Sequence, residues 1–174
     1  MQEKYPDAEI CVFDSICASG GHGLLIYHAI ENKKKGMSVT ENMQALEELK
    51  HRIVHKFTVD DLTYLQRGGR ISKTAAVIGG MIQLKPVLHV DTEGRLAAES
   101  KVRGRKKALN QLLAEMDICT GGYADKQDVV LICHADCPED AEYVRAKVEE
   151  KYHPNKIIMS EVGPIVGAHV GPGT

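Results

Sequence analysis

Asp61-Leu-Thr-Tyr-Leu-Gln-Arg-Gly-Gly-Arg-Ile-Ser72 decides how this chain is read. Asp60 or Asp61 can cap a helix start, and Leu62 and Leu65, three apart, share one face. Gly68 and Gly69 end that helix early, because a glycine just past a helix takes positive φ without penalty. The chain then reverses and presents Arg70. Ser72 caps a second helix, expected over Lys73–Leu84, with Ala75, Ala76, Val77, Ile78, Met81 and Ile82 as its apolar residues. The outcome is a helix–turn–helix corner with Arg67 and Arg70 at its edge. Guanidinium groups fixed in this way suit a carboxylate or a phosphate. The same spacing also describes an ordinary helix end with solvated arginines.

Outward from this corner, Val54–Val59 alternates with period two and reads as a strand. Lys85-Pro86 is expected to end the second helix. Pro86–Asp91 and Leu96–Val102, joined across Thr92-Glu-Gly-Arg95, read as a hairpin. Lys101-Val-Arg-Gly-Arg-Lys-Lys107 places five cations in seven residues and opens a helix through Leu109, Leu112, Leu113 and Met116. Cations at a helix start oppose its dipole. Two readings stand there, a solvated helix start and a surface for an anionic partner. Asp128–Cys133 is a buried strand, and Pro138 suits the first position of a helix that runs to about Tyr152. Lys156–Ser160 is another strand. Residues 161–174 hold four glycines, two prolines and His169, and are expected to form a shaped loop with no regular element. Its N–H groups and His169 would converge on an anion, or the histidine is structural.

Toward the N-terminus, Glu9-Ile-Cys-Val-Phe-Asp14 reads as a strand. Ala18-Ser-Gly-Gly-His-Gly23 follows as a loop before a helix through Leu24–Ile30. A glycine-rich strand-to-helix turn either cradles an anion or packs strand on helix closely. It matches neither the dinucleotide fingerprint nor a P-loop. Ser38-Val-Thr-Glu41 is a capping box, and Met43, Leu46, Leu49 and Ile53 follow at helical spacing.

The totals narrow the class. The chain has 174 residues, 43% of them hydrophobic, and 22 basic against 24 acidic residues give a net charge of −2. That balance carries no nucleic-acid signature. Aromatic residues make up only 5%, with no Trp, which argues against a platform for stacking bases. Five cysteines, an odd number without a pairing framework, favour a reducing cytoplasm. No apolar run reaches membrane-spanning length. Cys133, His134 and Cys137 are a poor match to structural zinc spacings, and no Gly-x-Ser-x-Gly elbow occurs.

Four stretches taken in order resemble the DegV family of bacterial fatty-acid-binding proteins. They are Asp14-Ser15 with its glycine-rich sequel, Tyr64–Ser72, Lys101–Ala108, and Gly167-Ala-His169 with Gly171-Pro-Gly-Thr174. The resemblance runs from about Ile10 to Thr174. It implies an α/β protein of two-domain, EDD-type architecture. The first domain would be truncated, since the family's N-terminal βαβ units and carboxylate-binding hydroxyls have no counterpart here. The second would be a mixed sheet with packed helices. The expected divisions are 1–53 as the remnant of the first domain, 54–160 as the second, and 161–174 as a loop returning to the first.

The resemblance further implies a long-chain fatty acid as ligand. His169, with Gly167 and Ala168, would hold its carboxylate. Arg70, Arg103 and Arg67 would face a fatty-acid kinase that phosphorylates that carboxylate. The chain is then a carrier without catalytic residues, metal or cofactor of its own, acting in the cytoplasm. It has no nucleic-acid partner and no transmembrane segment. Transient membrane contact and dimerisation through the truncated face complete the expected contacts. Two rivals remain at this stage. One is a module related to dihydroxyacetone kinases, with a small ketone on His169. The other is an interaction domain or fragment without activity.

Overall fold

The structure is a computed structural model that describes residues 3–72, 84–121, 123 and 128–174. It divides into two units, Met1–Ile53 and Val54–Thr174.

In the first unit an irregular run leads to α1 (Ser19–Lys34), and a short turn leads to α2 (Val39–Lys50). Glu9–Asp14, expected as a buried strand, makes no ladder pairing among the described residues and is mostly exposed, so it is not one. A strand exists only by ladder bonding to a neighbour, and no strand occurs among the described residues of this unit. Asp14 and Ser15 instead make local turns. The Ile16 N–H donates to Asp14 Oδ1 at 3.0 Å, and the Cys17 N–H donates to Ser15 Oγ at 3.3 Å. The glycine-rich stretch, expected as a loop, is the opening of α1, which begins at Ser19. The capping box of α2 is complete. Ser38 Oγ accepts from the Glu41 N–H, and Glu41 Oε2 accepts from the Ser38 N–H at 2.8 Å. Asn42 ties α2 to α1, donating to Ala29 O at 2.9 Å and accepting from Asn32 at 3.0 Å.

The second unit contains β1 (Lys56–Thr58), α3 (Leu62–Arg67), β2 (Leu84–Val90), β3 (Leu96–Arg103), α4 (Arg105–Thr120), β4 (Val129–His134), α5 (Pro138–Tyr152), β5 (Lys156–Glu161) and α6 (Pro164–Val170). The first three strands form an antiparallel sheet in the order β1-β2-β3. The β2–β3 turn is held by Asp91, whose Oδ1 accepts from the Glu93 and Arg95 N–H groups, both at 2.9 Å. The helix expected over Lys73–Leu84 lies outside the described residues except for its last position. Leu84 belongs to β2, and so does Lys85, which pairs with Val102. Pro86 is tolerated within this strand because β1 pairs only with Val87–His89, so no ladder bond is asked of it on that side.

β4 and β5 pair in parallel, joined by α5, which starts with Pro138 at its first position. α4 packs on β1, β2 and β3 and against α5. The C-terminal stretch is the main departure from expectation. Pro164–Val170 is a helix, not a loop, and it packs on α3. Pro164 fixes the first helical φ, the Gly167 N–H donates to Gly163 O at 2.8 Å, and Val166 and Val170 supply an apolar stripe. Val170 enters a core with Val59, Leu62, Leu65 and Leu88, flanked by Phe57, Ile71, Leu96, Val162 and Val166. The burial of that stripe outweighs the glycine content that argued for a loop.

Candidate functional site

α3 is built as its sequence dictates. Asp61 Oδ1 accepts from the Thr63 N–H at 2.8 Å, and hydrogen bonding from Thr63, its side chain first and then its N–H, holds the carboxyl below its ordinary value. Leu62 and Leu65 are buried. The far end closes with paired reverse bonds. Arg70 N–H donates to Leu65 O at 2.8 Å and Gly69 N–H donates to Gln66 O at 3.0 Å, with Gly69 at φ 71°. Arg70 also donates from Nη1 to Gly68 O at 2.6 Å, so its guanidinium is anchored to the turn it follows. Arg67 and Arg70 are exposed.

The turn and the C-terminal helix meet through a side chain that glycine lacks. A Cβ added at Gly68 would overlap His169 Nδ1, and it would stand 3.1 Å from Cε1 and 3.2 Å from Cγ. The same seam continues along the tail. A Cβ at Gly171 would come within 2.5 Å of the Tyr64 ring, and one at Gly173 within 2.9 Å of Asp60 Cβ. Beyond α6, the Gly173 N–H donates to Ala135 O at 2.7 Å, and Thr174 O accepts from the Ala135 N–H at 3.0 Å and from Cys137 Sγ at 3.2 Å. Thus α6 is clamped on both sides, with His169 in its last turn.

His169 is half-buried, and its Nδ1 is sealed from water without a hydrogen-bond partner. Gly167 is half-buried and Ala168 exposed. The Gly167 amide is taken up within α6, so the polar group this end offers is the imidazole. Arg103 is exposed at the end of β3, in register with Leu84. The structure therefore joins the Gly68–Arg70 turn to His169. Of the basic run after β3, Arg105 is bound to Asp140 at 2.6 Å. Cys137 is engaged by Thr174 and lies 3.7 Å from Arg105, and burial pushes its thiol pKa up. No metal-binding cluster occurs among the described residues.

One charged cluster escaped the sequence reading. Between the three-stranded sheet and α4, Lys56 Nζ bonds Glu99 and lies 3.4 Å from Glu115, which also accepts from Gln111 at 2.8 Å. His89 Nδ1 lies 3.4 Å from Glu99 without hydrogen-bond geometry. Its signal was available, since Glu115 stands seven residues, about two helical turns, after the buried Ala108. In the first unit an open groove of about 350 Å³ is lined mainly by Ile10, Val39, Met43 and Leu46.

A family model, that of the uncharacterised proteins of the DegV family, matches residues 1–174. The chain belongs to the DegV family. A DegV domain-containing protein of Clostridium perfringens is 42% identical over 174 residues, covering all of this chain and 59% of the relative. The chain thus spans about three fifths of the length of the curated DegV relatives it matches. Among solved structures, a fatty-acid-binding DegV family protein from Thermus thermophilus shares 29% identity with a TM-score of 0.85, over 98% of this chain and 60% of that one. A stearic acid-binding protein from Eubacterium ventriosum shares 27% identity with a TM-score of 0.83, over 98% and 59%. The α/β architecture is therefore that of the DegV proteins. No helix among the described residues is long and apolar enough to cross a membrane.

Proposed function

We propose that this chain carries the head-group end of a fatty-acid carrier, with His169 donating to the ligand carboxylate. The observation that carries this reading is the half-buried imidazole held against Gly68. Relatives above a quarter identical that are described as fatty-acid-binding proteins support it. A carboxylate taken out of bulk water needs donors to offset its lost hydration, and a histidine N–H is one. Each CH₂ of a buried tail contributes about 0.8 kcal/mol, so a long chain supplies most of the affinity while the head group fixes orientation.

The second half of the proposal concerns the partner. Arg67, Arg70 and Arg103 are exposed cations, suited to an acidic docking face. In this reading they receive a fatty-acid kinase in the cytoplasm, where five free cysteines stay reduced. In this reading phosphoryl transfer belongs to the kinase, and the carrier only presents the carboxylate.

Extraction of the purified protein followed by mass spectrometry is expected to return a long-chain fatty acid. Small polar ligands alone would favour the ketone alternative and overturn the proposal. His169→Ala is expected to weaken fatty-acid retention by about 1–3 kcal/mol, the usual range for losing a hydrogen bond to a charged group. Retention equal to that of the unaltered protein would remove the histidine from the site.

A further inference from the structure

We infer that Gly68 selects the tautomer of His169: the missing side chain keeps Nδ1 unprotonated against the end of α3 and leaves Nε2–H as the group offered to a ligand. A Cβ at position 68 would overlap Nδ1 while standing almost equally far from the two ring carbons that flank it, 3.1 Å from Cε1 and 3.2 Å from Cγ. A point above the ring face would approach those carbons nearly as closely as the nitrogen. The point therefore lies in the ring plane, on the axis along which Nδ1 carries either a lone pair or a proton.

Glycine places an α-hydrogen in that direction. A lone pair meets it as a weak Cα–H···N contact, whereas an N–H would meet it hydrogen to hydrogen. Burial points the same way. Nδ1 is sealed from water and has no acceptor. Buried N–H groups without an acceptor are rarer in proteins than buried acceptors short of a donor. A neutral imidazole has one proton to place, and it goes to Nε2. Gly68 thus acts as a positioning residue. The tautomer is a property of the unliganded protein, and its use rests on the reading of His169 as the carboxylate's donor.

Histidine-labelled protein, observed by long-range ¹H–¹⁵N correlation at about pH 9, well above the ordinary histidine range, reports the tautomer directly. The resonances that vanish in His169→Ala are expected to show a pyridine-type Nδ1 and a pyrrole-type Nε2. The reverse assignment, or averaged shifts from a mixture, would overturn the inference. Gly68 sits at φ −72°, a conformation alanine accepts, so Gly68→Ala tests the contact with the ring and not the backbone. That variant is expected to lose the tautomer signature and to retain a 16-carbon fatty acid roughly tenfold less well. Gly163→Ala, with nothing within 4 Å of its Cβ, is expected to change neither.

Should Gly68→Ala fail to fold, two isosteres replace it. His169→Gln puts an amide donor where Nε2–H stands and is expected to keep most retention. His169→Asn puts one where Nδ1 stands and is expected to lose it, and equal losses would overturn the inference. The stated tautomer together with fatty-acid retention indifferent to His169→Ala would uphold the inference and remove the carboxylate role.

Discussion

At the scale of single residues, the seam between α3 and the C-terminal segment is written in glycines whose added Cβ would meet a neighbouring side chain. Gly171 combines two constraints. Its backbone sits at φ 74° and ψ 175°, a region essentially closed to other residues, and its Cα faces the Tyr64 ring. Gly171→Ala is expected to destabilise the protein by about 1–3 kcal/mol from backbone strain, with the ring clash adding to it. Thermal unfolding, with Gly163→Ala as the neutral comparison, measures it. An unchanged melting temperature in Gly171→Ala would mean that the tail does not sit as described. The sequence names these glycines but not their partners. Tyr64-Leu-Gln-Arg-Gly-Gly-Arg and the His169 stretch each stand out when read along the chain, yet the packing of Gly68 on the imidazole depends on a contact between segments far apart in sequence. No local pattern encodes that contact.

Between elements, α4 and α5 are coupled by one carboxylate. Asp117 bonds both Lys151 and Tyr152, and the Lys151 bond, then the Tyr152 bond, hold its pKa below the ordinary aspartate value. A carboxyl lowered in the folded state contributes fully above its unfolded value and loses that contribution as pH falls through the folded one. Urea midpoints of the unaltered protein should therefore fall more between about pH 5 and about pH 3 than those of Asp117→Asn. Parallel curves would show that the Asp117 contact is too solvent-screened to matter. Burial, then Asp117, raises the pKa of Tyr152, so its contribution is complete below the ordinary tyrosine range and fades above it. Elements of this kind were legible where local chemistry and tertiary packing agree. Pro138 and the apolar spacing gave α5, and Ser38 with Glu41 gave the start of α2. Where they disagree the reading fails. Gly163, Gly167 and Gly171 argued for a loop, but Val166 and Val170 had a core to enter. Glu9–Asp14 had the composition of a strand but no ladder partner among the described residues.

At the scale of the whole molecule, apolar burial is unequally shared. Among the described residues of 1–53, only Leu25 and Leu46 are buried core hydrophobics, while Ile10, Val12, Ile26, Ile30 and Val39 are exposed. The second unit buries Val59, Leu65, Val87, Leu88 and Val148 at or below 2% exposure. Burial of this kind is the main term opposing conformational entropy, so the two units should differ in how readily they open. Hydrogen exchange is expected to be slowest for amides of β2 and α5, and distinctly faster in α1 and α2 despite their regular helical bonding. Brief proteolysis should cut first within residues 1–53 and leave a resistant fragment that begins near Val54. Helical hydrogen bonds alone do not protect an amide when the helix lacks apolar backing, because opening then exposes little new surface. If α1 and α2 exchange as slowly as β2, something covers their apolar residues in solution.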